Sequence, residues 1–177
     1  MPATCILTDS SVQFPNNDAQ NCEHIIVLPH RLAGAADMVK KQSDSLNVSN
    51  YTAGQNHLQP PTIEDFHSML SQLSEKYQNI FVVLLSSHLS LAYHNACEAV
   101  LQLRGATSIQ VIDSQTIGAG LGMLVQVAME AVQKGIAPVQ INRLVRGMIP
   151  HVYTIFCLQS LQFLAQAEHL DPAQATI

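Results

Sequence analysis

The chain has 177 residues, of which 47% are apolar and 12% charged, and its net charge is −5 with only eight Lys and Arg. That length fits one domain, and so few, scattered basic residues exclude a phosphate-neutralising nucleic-acid surface. No apolar run approaches a membrane span, no signal peptide is evident, and Cys5, Cys22, Cys97 and Cys157 form no CxxC pair, so a cytoplasmic protein with free thiols is expected.

In chain order, Thr4-Cys5-Ile6-Leu7 reads as a short strand leading into Thr8-Asp9-Ser10-Ser11. A second apolar run, Ile25-Ile26-Val27-Leu28, follows a polar loop. Residues 33–61 turn to Gly, Ser, Asn, Gln and Lys, a length of loop that is functional or mobile in a compact domain. Thr62 then looks like a helix N-cap with Asp65 three residues on, and Ile63, Phe66, Met69, Leu70, Leu73 and Tyr77 give that helix an apolar face.

Residues 80–85 form a continuously apolar strand of the kind buried on both faces of a parallel sheet. It breaks into Ser86-Ser87-His88-Leu89-Ser90, where a helix is predicted over 89–104, with Leu89, Tyr93, Ala96, Cys97, Val100 and Leu101 on one face and Gly105 as its C-terminal cap. Such a junction sets hydroxyls beside free backbone N–H groups at the positive end of a helix dipole, which suits a phosphate or carboxylate. Plain helix capping is the commoner explanation of the same serines.

Ile109-Gln110-Val111-Ile112 is the next strand, ending in Asp113-Ser114. The following helix carries Ile117, Leu121, Leu124, Val125, Ala128, Met129 and Val132 and stops at Gly135. Pro138 suits the first turn of another helix, with Ile141, Leu144, Val145 and Met148 inward. Residues 152–157 are a last strand candidate, with a short helix over 158–167.

This alternation predicts an α/β layered domain, a mainly parallel sheet flanked by helices. Three strands end in polar clusters at the carboxyl edge, where such sheets bind ligands. A site and ordinary strand-end capping are evenly matched explanations. Among competing chemistries, Ser87-His88 lacks the glycines of a nucleophile elbow, and His94 with Cys97 supplies two metal ligands without a fixed third. Gly118-Ala119-Gly120-Leu121-Gly122 lacks dinucleotide-fingerprint spacing, so its small residues read as close helix packing. Met69, Met123, Met129 and Met148 fall at helical core positions, and no cofactor or metal is expected.

Four motifs in order resemble the DegV family of bacterial fatty-acid-binding proteins. They are Ile6-Leu7-Thr8-Asp9-Ser10-Ser11; Pro61-Thr62-Ile63-Glu64-Asp65-Phe66; Ser86-Ser87-His88-Leu89-Ser90 with Tyr93-His94-Asn95-Ala96; and Val111-Ile112-Asp113-Ser114. The resemblance runs from residue 3 to about 168 and implies the first, α/β lobe of a two-lobed protein. It implies a DegV-like domain over 1–168, with 169–177 a tail or the start of a second lobe. It also implies a long-chain fatty acid ligand, a fatty acid kinase as partner and no catalysis by the chain itself. Carried over, Ser87 and Ser90, then Thr8, Asp9 and Ser10, and Asp113 and Ser114 fall on the family's motifs, and Tyr93 matches an aromatic position; the expected ligand-binding residues are Ser87, Ser90, Ser10, Thr62, Asp113 and Ser114.

The chain departs from that pattern in places. Leu58-Gln59 stand where the family usually has Thr-Ser, Leu91-Ala92 where it has Gly-Thr, and Glu168-His169-Leu170 where Gly-Arg-Ile opens the second lobe. Three expectations therefore stand together: a fatty acid carrier, a DegV-like interaction domain that no longer binds lipid, and one segment of a longer polypeptide. An apolar face left without the second lobe predicts a homodimer.

Overall fold

The structure, a computed structural model, describes residues 3–14, 22–32 and 58–155. Four parallel strands form its sheet: β1 (Thr4–Asp9), β2 (Ile25–Leu28), β5 (Asn79–Leu84) and β6 (Ser108–Asp113), in spatial order β2-β1-β5-β6. Two short strands, β3 (Arg31–Leu32) and β4 (Leu58–Gln59), pair antiparallel beside it. The helices are α1 (Ile63–Ser74), α2 (Ala92–Gln102), α3 (Ala119–Gln133) and α4 (Pro138–Met148), the last running into a 3-10 turn at Ile149–His151. The expected α/β layered architecture with a parallel sheet is what the chain adopts.

Period-two alternation along β5 divides the core. Ile80, Val82 and Leu84 join Cys5, Leu7, Phe66, Leu70, Leu73, Ala92, Ala96 and Ala99 on the α1–α2 side. Phe81, Val83 and Leu85 join Ile6, Ile112, Leu121, Leu124, Val125, Ala128, Ile141 and Val145 on the α3–α4 side. A strand buried on both faces needs apolar residues at successive positions, which explains the unbroken run at residues 80–85. The alanines of α2 leave no bulk between that helix and the sheet.

Thr62 caps α1 as expected. Its hydroxyl accepts from the Asp65 amide at 3.2 Å while Asp65 Oδ2 accepts from the Thr62 amide at 2.9 Å, a reciprocal capping box. Asp65 Oδ1 also takes the Arg31 guanidinium, joining β3 to the start of α1. Pro138 opens α4 and Gly135, at φ 68°, follows the end of α3.

Several predicted boundaries are corrected. The second helix begins at Ala92 rather than Leu89, because residues 87–90 fold into a turn closed by Leu89 N–H and Ser90 N–H on the Ser86 carbonyl. It ends with Leu103 as C-cap and not Gly105, whose φ is not left-handed. Residues 152–155 form no strand, and the rest of that candidate and the helix over 158–167 lie outside the described residues. Leu101 (79% exposed) and Met123 (47%) face outward, and Leu144 is also exposed. All three helices pack by a stripe narrower than the apolar pattern suggested.

Gly122 is required by close packing, as the glycine cluster implied. A Cβ there would overlap the Gln13 carbonyl oxygen, and one at Gly120 would overlap the hydroxyls of Thr116 and Thr154. The segment after β1 is thereby pressed onto the first turn of α3, where Gln13 N–H also donates to the Gly118 carbonyl at 3.1 Å.

Candidate functional site

The sheet order reverses direction between β1 and β5, since the chain moves outward to β2 and then resumes on the other side of β1. Crevices beyond the carboxyl ends of strands at such a reversal are where open α/β sheets take ligands. Register brings the strand ends level: Asp9 pairs with Leu28, Thr8 with Val83, and Leu84 with Asp113. All three polar clusters singled out in the sequence therefore share one edge.

Two carboxylates fix the loop that leaves β5. Asp9, fully buried, accepts from Leu85 N–H with Oδ2 and from Ser11 N–H with Oδ1, both at 2.9 Å. From the other side, Asp113 Oδ1 accepts from Ser87 N–H at 3.1 Å and Gln115 N–H at 3.0 Å. Asp113 Oδ2 accepts the Ser87 hydroxyl proton at 2.6 Å. Gln115 takes a left-handed φ of 55° to deliver its amide, a conformation uncommon for a residue with a side chain.

The free N–H groups expected at this corner are not free. Leu85 donates to Asp9, Ser86 to the Thr116 carbonyl, Ser87 to Asp113, His88 to Ser86 Oγ, and Leu89 and Ser90 to the Ser86 carbonyl. Ala92 N–H, at the helix start, donates to Ser90 Oγ at 3.2 Å. The backbone amides over residues 85–90 are thus all engaged within the fold.

Among the residues expected in the site, Ser87, Ser90, Ser10 and Asp113 are half-buried at this edge. Ser10 Oγ accepts from His30 N–H at 2.8 Å and lies 3.1 Å from His30 Nδ1. Thr62 is exposed, and its segment is tied to α2 by Asn95 Nδ2 donating to the Pro61 carbonyl at 2.8 Å. Ser114 is 1% exposed, and its hydroxyl donates to the Thr116 carbonyl and accepts from the Thr116 amide. It supports the turn that holds Asp113 and offers nothing to solvent.

His30 is the residue that sequence reasoning missed. It is 4% exposed, and its Nδ1 stands 3.9 Å from Asp9 Oδ1. Burial lowers its pKa, with the Asp9 charge pulling the other way. A histidine directly after Leu28-Pro29, at the end of the second apolar run, was the available signal. On the outer side of Asp113, Tyr93 has its pKa raised by a hydrogen bond to Cys97, by the Cys97 charge, by burial and by Asp113, against a smaller opposing pull from Arg146. Arg146 itself is anchored, donating Nη2 to the Val111 carbonyl at 3.0 Å and Nε to Asn142 Oδ1 at 2.9 Å.

Leu89 and Leu91 (63% exposed) stand uncovered within and just after the serine turn, and Leu58 (50%) is uncovered on β4. Among the described residues no group of three or more His, Cys, Asp and Glu could hold a metal, and His94 with Cys97 gains no third ligand. No described helix is long and apolar enough to cross a membrane. A cleft of about 540 Å³ between Ser71, Ser74, Val100, Leu103, Arg104 and Ile109 lies at the opposite edge, where β6 begins.

These features define an α/β domain with a hydroxyl-lined corner at the reversal point of a parallel sheet. The chain belongs to the DegV family, whose model, described as an uncharacterised protein family, matches residues 3–177. A DegV domain-containing protein of Staphylococcus aureus (strain COL) is 24% identical over 181 residues, covering 100% of this chain and 64% of that protein. The chain thus spans 64% of the length of that relative. A solved DegV family protein from Thermus thermophilus, described by its fatty acid binding, has a TM-score of 0.79 at 20% identity and covers 100% of this chain and 64% of its own. One from Ruminococcus gnavus, solved with vaccenic acid, has a TM-score of 0.78 at 17% identity over 94% of this chain and 62% of its own. At these identities the likeness demonstrates a common fold.

Proposed function

We propose that this chain is a non-catalytic carrier of a long-chain fatty acid, with the carboxyl group held at the serine corner by Ser87, Ser90, Ser10 and Thr62. The observation that carries this reading is the convergence of hydroxyls at the sheet's reversal point, in a family whose solved members include proteins described as fatty acid binding. Asp113 and Ser114 hold the Ser87 hydroxyl and its supporting turn in place. Leu58, Leu89 and Leu91 give the start of an acyl chain an apolar surface, and each buried CH₂ adds about 0.8 kcal/mol.

Presentation of the bound acid to a separate fatty acid kinase, a cytoplasmic setting and a homodimer complete the proposal. Free thiols at Cys5, Cys22 and Cys97 support the setting. Exposed leucines beside the site support self-association.

Mass spectrometry of lipids released from the purified protein tests the reading. A stoichiometric fatty acid in the native chain, lost from the Ser87→Ala, Ser90→Ala double variant, is the expected result. Equal lipid in both would remove the serines from the site. A second reading, an interaction domain without lipid, is favoured by Leu58 and Leu91 at positions where the family places hydroxyl and glycine. Repeated absence of acyl species from the native chain would establish it.

A further inference from the structure

Resting on the carrier reading, we infer that the serine corner takes the carboxyl group as the neutral acid, with Asp113 as the residue that sets this preference. The inference comes from the direction of one hydrogen bond. A carboxylate accepts and cannot donate, so the 2.6 Å contact between Ser87 Oγ and Asp113 Oδ2 uses the only proton of the Ser87 hydroxyl. Towards a ligand, Ser87 therefore presents lone pairs. A carboxylate ligand has nothing to give those lone pairs, whereas the O–H of a carboxylic acid does.

Ser90 has the opposite polarity. Its oxygen already accepts from Ala92 N–H, which leaves its own proton for an acceptor. A neutral carboxyl group carries one donor and one acceptor, and the half-buried pair Ser87 and Ser90 offers one acceptor and one donor. The acid O–H completes a chain to Ser87 Oγ and on to Asp113, while its carbonyl accepts from Ser90.

Charge points the same way. A bound carboxylate would stand one hydroxyl away from Asp113, and two carboxylates at such a distance do not both ionise easily. The backbone amides over residues 85–90 that would screen an anion are all engaged. Among the described residues, the ionisable groups on the elements that meet at Ser87 and Asp113 include Asp9 on β1, His30 after β2, His88 in the turn, Tyr93, His94 and Cys97 on α2, and Arg146 on α4. His30 is held towards its neutral form by burial, and Arg146 is turned to the Val111 carbonyl and Asn142.

The test is calorimetric titration of the delipidated full chain with decanoic acid, decan-1-ol and methyl decanoate from about pH 6 to about pH 8. The neutral acid becomes scarcer by tenfold per pH unit above its own pKa, so its apparent affinity should fall about tenfold per unit. The alcohol, which keeps an O–H at every pH, should bind with little pH dependence and so reports the protein's own titrations. The ester lacks the donor and should bind about tenfold more weakly than the alcohol, the cost of one unmet hydrogen bond. Asp113→Asn releases the Ser87 proton, and the acid's affinity should then become flat with pH and exceed the native value at the upper end.

Acid binding that is flat with pH in the native chain, with the alcohol no better than the ester, would overturn the inference and leave the carrier reading standing. Failure of the native chain to bind any of the three, or palmitic acid titrated alongside them, overturns the carrier reading, and the inference with it. The native chain alone decides between these results, whatever the stability of the variant.

Discussion

Asp9 lies at the end of one strand and Leu85 just beyond the end of its neighbour, and the buried Asp9 carboxylate accepts the Leu85 amide at 2.9 Å. This bond crosses the reversal point of the sheet, so the start of the serine turn is set by β1 as well as by its own strand. Asp113 does the same from β6. The turn is held between two carboxylates, each placed by a different strand.

Loss of the Asp9 carboxylate should therefore cost more than its small size suggests. Asp9→Ala strands the amides of Leu85 and Ser11 and is expected to destabilise the fold by about 2–4 kcal/mol. Urea denaturation measures it, and a loss under about 1 kcal/mol would show that these bonds are replaceable.

Glycines separate into required and dispensable ones. Gly122→Ala forces a Cβ into the Gln13 carbonyl and should cost at least about 2 kcal/mol. Gly147→Ala, inside α4 with nothing within 4 Å, should stabilise by about 0.5–1 kcal/mol. Thermal melts of the two variants should move in opposite directions.

Stability should fall on acidification through His30. Its folded pKa lies below the ordinary 6.5, so below about that pH the unfolded chain takes up a proton that the folded one refuses. The loss begins near 6.5, continues down to the folded pKa and cannot exceed about 1.4 kcal/mol per pH unit for one proton. His30→Gln should flatten that part of the urea-midpoint profile between about pH 7.5 and pH 5.5. An unchanged slope would assign it to another group.

The thiols should differ in reactivity. Burial pushes the Cys5 thiol up to about 12, while Cys22 and Cys97 are partly exposed. Iodoacetamide at mildly alkaline pH should modify Cys22 and Cys97 in the native protein and reach Cys5 only after unfolding. Peptide mapping after a timed reaction reads the order.

Thr62→Ala removes one half of the α1 capping box and should cost about 1 kcal/mol, with Thr62→Ser close to native. Lipid retention in the serine variant should follow the native chain if the hydroxyl also meets the head group.

The architecture was legible because its signals are local. The unbroken run at residues 80–85, the Thr62–Asp65 cap and Pro138 each act through their own segment, and each appears where the sequence indicated it. What escaped depends on partners distant in sequence. Nothing at Ser87 reveals that its proton belongs to Asp113, and nothing at His30 reveals that Ser10 and Asp9 surround it. The helix start at Ala92 instead of Leu89 has the same origin, since Thr116 and Asp113 bind the Ser86 and Ser87 amides and hold the chain in a turn. Leu101 and Met123 were misjudged because apolar periodicity alone does not say how wide a packed stripe is.

β6 is the outermost strand on its side of the described sheet. Arg146 reaches over from α4 and occupies the Val111 carbonyl in the middle of that edge. A bulky cation at this position obstructs an incoming chain from extending the sheet, a common protection of strand edges against aggregation. Arg146 therefore stands where it hinders edge pairing, and its replacement by a small apolar residue is expected to favour sheet-by-sheet association without removing a side chain of the serine corner.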